Sequence, residues 1–227
     1  MSTDARVTRL TGVGALTVAV LYAVSVPLGS LASAPATDAS GPAVAQFYSE
    51  HRTGLLAALV LNGIAWCALM PAVFVGLRAR VGPRDSLAAT VALIAAAVEA
   101  ALIGVALLLG LVAAYEAPHL APQAAKSLND AVWIALNVSA WPTVPCVLGL
   151  VLATWRTRVF PISVVAVGVL VAIVHAVTSI SFARAGVVSP AGIGTLAAPA
   201  FALWLVVIAV ALLRRPAAHQ SVAPAAA

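Results

Sequence analysis

Hydrophobic residues run along this chain in long stretches that do not alternate with polar residues. Since strands of a membrane barrel would alternate, the pattern favours helices. Each stretch is close to the roughly 20 apolar residues that a helix needs to cross a bilayer. The sequence therefore predicts an all-α, polytopic membrane protein with six transmembrane helices, at approximately 10–31, 54–77, 87–114, 131–154, 160–182 and 191–213.

The composition indicates that lipid surrounds most of the chain. Of 227 residues, 63% are hydrophobic and 8% are charged, whereas roughly 25% are charged in soluble domains. The first apolar run exceeds the about 7–15 residues of a signal peptide, so we interpret it as a retained helix. The net charge of +5 comes without a basic stripe interleaved with aromatic residues, so membrane lipid is the predicted partner and nucleic acid is not.

The basic residues predict the orientation. Nine of the twelve Lys and Arg residues fall on one side of the predicted helices: Arg6, Arg9, Arg78, Arg80, Arg84, Arg156, Arg158, Arg214 and Arg215. The other side holds Arg52, Lys126 and Arg184. Because cytoplasmic loops carry the excess of basic residues, we expect both termini in the cytoplasm and the chain in the inner (plasma) membrane. Residues 1–215 form one predicted transmembrane domain, and 216–227 a disordered tail.

Two connections on the predicted outer side, residues 35–52 and 115–130, are long enough to be more than turns and are expected to be loops. Asp85 or Ser86 is a suitable N-cap for the third helix. Five prolines fall inside predicted helices, where each frees a backbone carbonyl and can kink its helix. They are Pro27, Pro71, Pro142, Pro145 and Pro199.

An internal repeat links the second and fourth predicted helices. Residues 61–66 and 136–141 share the pattern L-N-x-x-A-W, and each copy is followed by a proline and an R-x-R. In the next helices, Val98-Glu99-Ala100 corresponds to Val174-His175-Ala176. A weaker third copy would include Tyr22 and Trp204. Parallel repeats of hairpins occur in transporters.

Polar residues fall at one depth of the predicted bundle. Glu99, His175 and Asn62 each lie roughly 20–22 Å from the cytoplasmic ends of their helices. Glu99 is the acidic residue deep in a helix, and a carboxylate facing lipid would cost about 3 kcal/mol. We therefore expect Glu99 to face the interior as a neutral acid that donates a proton. The structural alternative is an acid that only holds helices together by hydrogen bonds.

Each other member of this layer has a structural and a functional interpretation. His175 is either the partner or base of Glu99 or a core histidine. Asn62 and Asn137 are typical of hydrogen bonds between helices, and each shares a helix face with a tryptophan four residues later. Packing is the common role of deep tryptophans, but an aromatic wall can also stabilise a cation. The candidate substrate-binding residues are Tyr22, Asn62, Trp66, Asn137, Trp141 and Trp204.

Metal and cofactor motifs are not found in the sequence. Cys67 and Cys146 fall inside predicted helices, with a spacing that matches no metal site. We interpret both as small apolar fillers of the core. The sequence predicts no metal ion and no cofactor.

Four segments carry a resemblance to a known family. They are Arg6–Gly14, the V-E-A run around Glu99, Arg156 through Phe160-Pro161, and Pro199-x-Phe201-x-x-Trp204 up to Arg214-Arg215. This pattern resembles the uncharacterised bacterial membrane proteins of the DUF4386 type, over nearly the whole chain. The resemblance implies a multi-helix membrane fold with no assigned activity. A fainter similarity is to small membrane-bound terpene cyclases, which are also short helical bundles with intramembrane acids and aromatic walls.

Three hypotheses about function follow. The leading one is a membrane-embedded enzyme for an apolar isoprenoid or lipid substrate, with Glu99 as general acid and His175 as its partner or base. The second is a proton-coupled transporter or exporter, in which the same two residues relay protons. The third is a structural membrane subunit whose polar layer only joins helices.

Overall fold

The chain forms a bundle of helices in a computed structural model that describes residues 3–81 and 86–214. No strand occurs in these two ranges, so the predicted all-α class is confirmed. Several predictions fall on residues outside them. These are the disordered tail at 216–227, the basic residues Arg84 and Arg215, and the N-cap Asp85.

Seven helices follow one another along the described chain. They are α1 (Thr3–Leu28), α2 (Gly41–Glu50), α3 (Arg52–Val81), α4 (Ser86–Tyr115), α5 (Pro122–Thr157), α6 (Ile162–Thr178) and α7 (Ala197–Leu213). A 3₁₀ turn at Ile193–Leu196 leads into α7, and another at Leu31–Ser33 follows α1. We call the end of the bundle that carries residues 29–51 the cap end.

Five of these helices are long and apolar enough to cross a membrane: α1, α3, α4, α5 and α7 with its preceding turn. The sixth predicted span, residues 160–182, contains only the 17 residues of α6. That helix is roughly 26 Å long, whereas the hydrocarbon core is about 30 Å thick. It ends at Thr178, and the Ser179 and Ser181 hydroxyls then bond the carbonyls of Ala176 and Val177. The sixth crossing stays a prediction.

Both segments that the sequence analysis expects to be loops contain helix. Residues 41–50 form α2, which starts with Gly41-Pro42 after an extended Ser40 and buries Val44 and Tyr48 on one face. Helix α5 begins at Pro122 rather than near residue 131. Proline suits the first turn of a helix because no hydrogen bond is needed from its nitrogen there. These helices are not evident from hydropathy, because their apolar residues alternate with prolines and polar residues over short segments.

The prolines lie in different parts of the helices. Pro142 and Pro145 lie within one continuous α5, and Pro199 lies in the first turn of α7, where its missing N–H costs nothing. In α3, a π-helical turn at Gly63–Leu69 precedes Pro71, and the Met70 N–H bonds the Ala65 carbonyl five residues back. Such turns often occur at functional sites.

The bundle is packed as expected for a protein in lipid. Between 33% and 50% of the most apolar window of each span is buried inside the protein, so much of each span faces outward with apolar side chains. Small residues allow close crossings: a Cβ at Gly54 would collide with the Leu28 carbonyl, so α1 and α3 meet backbone to backbone there. Polar side chains such as Asn62, Glu99 and His175 are buried instead.

Residues 29–51 fold over the cap end and are fixed to the start of α5. The Pro35 carbonyl accepts hydrogen bonds from Asn129 Nδ2 at 3.0 Å and Trp133 Nε1 at 2.8 Å. Lys126 Nζ donates to the Thr37 carbonyl at 2.8 Å and pairs with Asp130 at 3.0 Å. We call residues 29–51 the cap. It is an ordered lid over the interior of the bundle.

Candidate functional site

A cavity of about 570 Å³ lies inside the bundle beneath the cap. This volume is within the roughly 300–1,000 Å³ range of small-molecule sites. Its wall is mostly apolar, and α2 contributes Phe47 and Tyr48 at the cap end. The five long apolar helices and the shorter α6 contribute to the wall as well. The cavity therefore extends from the cap to the level of the predicted polar layer.

Each of those six helices contributes one residue to the far end of the cavity, which we call the floor. On each helix, it is the cavity-lining residue that lies furthest along the helix from the cap. The floor residues are all polar or aromatic: Tyr22, Trp66, Glu99, Thr143, His175 and Phe201. The floor thus concentrates the chemical groups of an otherwise largely aliphatic wall.

Glu99 is 3% exposed, and its Oε2 makes no hydrogen bond to any described residue. The Thr143 hydroxyl lies within hydrogen-bonding reach of the carboxyl. Thr143 already donates its proton to the Ser139 carbonyl at 2.8 Å. A hydrogen bond between the two side chains therefore has the acid as donor and the Thr143 oxygen as acceptor. This arrangement fits a neutral carboxylic acid, which avoids the cost of a buried charge.

His175 is held by one ring nitrogen. Its Nδ1 lies 2.9 Å from the Val171 carbonyl, and a carbonyl only accepts, so Nδ1 carries the proton. In the neutral ring, Nε2 then has a lone pair that can accept a proton. Among the described residues, no hydrogen bond or ion pair joins His175 to Glu99. Both side chains border the same cavity, so a ligand can contact both.

Phe201 is the centre of an aromatic cluster at the floor. Its ring centroid lies 5.6 Å from that of Trp66 and 5.9 Å from that of His175. Tyr22 extends the cluster, with its ring 5.9 Å from Trp66 in an edge-on contact. The rings present π faces and edges close to the acid and the base. A cation that formed on a ligand here would be attracted to these π faces.

Asn62 is fully engaged in hydrogen bonds. Its Nδ2 donates to Ser25 Oγ at 2.8 Å and to the Ala58 carbonyl at 3.0 Å, and its Oδ1 accepts from Trp66 Nε1 at 3.1 Å. The bond to Ser25 joins α3 to α1, which is the interhelical role considered for Asn62. Asn62 also lines the cavity, and its visible task there is to fix the indole of Trp66.

Two of the three deep tryptophans are not part of the wall. Trp141 is 55% exposed, and its Nε1 reaches the Ser179 carbonyl at 2.9 Å, just beyond the end of α6. Trp204 is completely buried and donates from Nε1 to the Val164 carbonyl at 2.8 Å. Neither lines the cavity. The structure therefore brings together Tyr22, Asn62, Trp66, Glu99, Asn137 and His175 from the predicted set, without Trp141 and Trp204.

Asn137 lines the cavity on the cap side of the floor. Its Nδ2 donates to the Ser181 carbonyl at 2.6 Å, which joins α5 to the segment after α6. At the cap end, Tyr48 lies beside Asn129, with a distance of 3.5 Å from its hydroxyl to Asn129 Oδ1. Burial raises the pKa of Tyr48 to about 12. The phenol is therefore neutral at physiological pH.

Sequence reasoning did not select Phe201, Thr143 or Tyr48 as site residues. The position of Thr143 between Pro142 and Pro145 was a usable signal, because those prolines mark an unusual stretch of α5. Phe201 has no comparable signal, since a phenylalanine in an apolar helix normally means packing. Tyr48 lies in a segment that was expected to be a loop.

Metal-binding clusters of three or more His, Cys, Asp or Glu side chains are not found in residues 3–81 and 86–214. Comparisons of the chain with protein-family models, with curated proteins and with solved structures gave no match.

Proposed function

We propose that the protein is a membrane-embedded enzyme that protonates an apolar isoprenoid or lipid substrate with the carboxylic acid of Glu99. The observation that carries this proposal is the floor. There, a buried carboxyl with an unpartnered oxygen borders the same cavity as three aromatic rings and a histidine with a free ring nitrogen. Acid, cation-stabilising wall and base are what proton-initiated rearrangement of an alkene requires.

The proposed reaction begins with proton transfer from Glu99 to one carbon of a substrate double bond. The other carbon becomes cationic, and the rings of Trp66, Phe201 and Tyr22 stabilise it. His175 Nε2 then removes a proton from a carbon next to the cation, and the C–H electrons form a new double bond. The proton returns to Glu99 through water that enters the emptied cavity. The net change of these steps is an isomerisation. Where a second double bond of the substrate first attacks the cationic carbon, its π electrons form the new C–C bond, the cation moves to the far carbon of that double bond, and loss of a proton there gives a cyclised isomer. Neither route needs an oxidant or reductant.

The number of membrane crossings and the orientation of the chain are part of the same proposal. The chain crosses the inner membrane six times, with α6 as the shortest crossing, and both termini lie in the cytoplasm. The excess of basic residues on one side supports this orientation, so the cap faces the outside. Cap residues form part of the cavity wall, and the apolar outer surface of the bundle favours substrate entry from lipid. The predicted resemblance to DUF4386-type proteins and to small terpene cyclases is part of this proposal.

Proton-coupled transport is the second candidate, because the π-helical turn at Gly63–Leu69 interrupts α3. Interrupted helices often surround the substrate sites of transporters. In this alternative, Glu99 and His175 would exchange protons with water and the substrate would leave unchanged. The chemical fate of the substrate therefore separates the two candidates.

The test uses purified protein in lipid nanodiscs, prepared in D₂O and incubated with a mixture of isoprenoid alkenes. Protonation of carbon adds one deuterium to the product, which mass spectrometry detects even when the product is an isomer. We expect Glu99→Gln to reduce the labelling at least ~100-fold, the usual effect of losing a general acid. Glu116→Gln is the matched control, because Glu116 is exposed and outside the cavity.

Undiminished labelling by Glu99→Gln would refute the proposal. Uptake of unlabelled alkene into sealed vesicles in response to a pH gradient, with no labelled product, would favour the transporter instead.

A further inference from the structure

We propose that the substrate is an uncharged lipid alcohol, whose hydroxyl group binds between Thr178 and Asn137 on the cap side of the floor. This inference rests on the proposed function, because it names the class of substrate that the same cavity takes. Its basis is a second group of polar atoms, separate from the floor.

Thr178 is the first part of this subsite. It lines the cavity, is 2% exposed, and its hydroxyl makes no hydrogen bond to any described residue. The following serines behave differently, since Ser179 and Ser181 both bond carbonyls of the preceding turn at 2.7 Å. A buried hydroxyl without a partner costs about 1–3 kcal/mol. A ligand that accepts a hydrogen bond from Thr178 would remove this cost.

Asn137 is the second part. Its Nδ2 is used by the Ser181 carbonyl, whereas its Oδ1 accepts no hydrogen bond from the described residues. The two side chains are neighbours at Gly194: a Cβ there would lie 3.2 Å from Asn137 Oδ1 and 3.8 Å from the methyl carbon Cγ2 of Thr178. Threonine in a helix adopts two χ1 rotamers, and rotation about χ1 brings the Thr178 hydroxyl to the side that its methyl group occupies. A larger residue at position 194 would fill the space between them. The glycine leaves room for a small polar group.

The pair offers one donor and one acceptor. An alcohol has both functions in a single oxygen: it accepts from the Thr178 hydroxyl and donates to Asn137 Oδ1. A hydrocarbon would leave both groups unsatisfied. A phosphate ester would bring negative charge into a wall whose ionisable side chains, among the described residues, are Glu99, His175 and two tyrosines. Burying that charge without a cation is costly, so the wall favours the neutral alcohol.

The subsite also sets the position of the reacting carbon. Asn137 and Thr143 are six residues apart on α5, which corresponds to roughly 9 Å along the helix. Thr143 is the neighbour of Glu99. With its hydroxyl at the subsite, the substrate therefore presents to Glu99 a double bond roughly 9 Å away, and not the one next to the alcohol carbon.

The experiment compares three probes that have closely similar isoprenoid hydrocarbon chains: farnesol, farnesene and farnesyl diphosphate. Each is titrated into the protein in nanodiscs, with bound ligand counted by native mass spectrometry. We expect farnesol to bind at least about 3- to 10-fold more tightly than farnesene, the value of one or two hydrogen bonds. We expect the diphosphate to bind more weakly than farnesol.

Thr178→Val removes the hydroxyl and keeps the shape. We expect it to weaken farnesol binding by about 3- to 10-fold and to leave farnesene binding unchanged, while Thr178→Ser keeps the affinity for farnesol. The matched control is Thr154→Val, because Thr154 is also buried with an unpartnered hydroxyl but lies outside the cavity. The thermal unfolding midpoint should not fall in Thr178→Val, since a methyl group replaces a buried hydroxyl that has no partner and removes its cost.

Several outcomes would overturn the inference. They are tighter binding of the diphosphate than of farnesol, equal binding of farnesol and farnesene, no saturable binding of any probe, or equal losses for farnesol and farnesene in Thr178→Val. Its failure is distinguishable from failure of the proposed function. If farnesol binds selectively but no product is labelled with deuterium, the alcohol subsite is retained and the proposed enzyme is rejected. If alkenes give labelled products but farnesol is not bound selectively, the enzyme is retained and the subsite is rejected.

Discussion

The two copies of the L-N-x-x-A-W pattern have the same letters and different surroundings. In α3, Trp66 is 5% exposed, donates to Asn62 of its own helix and forms part of the floor. In α5, Trp141 is 55% exposed and donates to the Ser179 carbonyl outside its helix. Asn62 has three hydrogen bonds, whereas Asn137 has one and a free oxygen.

This difference shows that a shared motif did not give a shared role. Two residues four apart lie on similar but not identical faces of a helix, separated by about 40° of rotation at 3.6 residues per turn. In α3 both side chains point inward, whereas in α5 the asparagine is inside and the tryptophan turns outward. The helices around each copy decide which part of the motif reaches the cavity. In α5, that part is the asparagine.

The largest expected effect separates the two tryptophans. Trp66→Ala removes a buried ring from the contacts with Tyr22 and Phe201, and we expect it to destabilise the protein by about 3 kcal/mol. Trp141→Ala should cost less than about 1 kcal/mol, because more than half of that side chain already faces outward. Unfolding in mixed micelles measures both. Equal losses would contradict the different packing of the two rings.

A smaller effect is expected for the two asparagines. Asn62→Leu removes three hydrogen bonds and leaves the Trp66 N–H without its acceptor, so we expect a loss of about 2 kcal/mol. Asn137→Leu removes a single bond and should cost about 1 kcal/mol or less. The same unfolding assay tests this order. A greater loss at Asn137 would mean that the second copy holds the bundle more firmly than its one bond suggests.

The smallest expected effect is read by fluorescence, which compares the exposure of the two tryptophans to lipid. In variants that retain either Trp66 or Trp141 as the sole tryptophan, with phenylalanine at the other four positions, brominated lipids should quench Trp141 strongly and Trp66 weakly. The reason is that a quencher in lipid must approach the ring, and only Trp141 is largely exposed on the outside of the bundle. Similar quenching of both tryptophans would contradict their different exposure on the outside of the bundle.

Much of the fold was readable from the sequence, and the exceptions are instructive. Long apolar stretches predicted the helical class, and five of them form helices able to cross a membrane. The length of α6 was not predictable from hydropathy, because residues 179–182 still contain large apolar side chains like the helix, whereas the hydroxyls of Ser179 and Ser181 beyond its end bond carbonyls of its last turn. The cap helix α2 was missed, since its burial depends on contacts with α5 that are distant in the chain.

The burial of Glu99 and His175 was predictable from the sequence, because polar groups in apolar helices avoid lipid, and residue spacing along a helix predicted their common depth. Which residues share the floor depends on the tertiary structure, since rotation about each helix axis and the packing of neighbouring helices select the face that points inward. That is why Phe201 and Thr143 joined Glu99, why Trp141 and Trp204 did not, and why Thr178 and Asn137 are neighbours at Gly194.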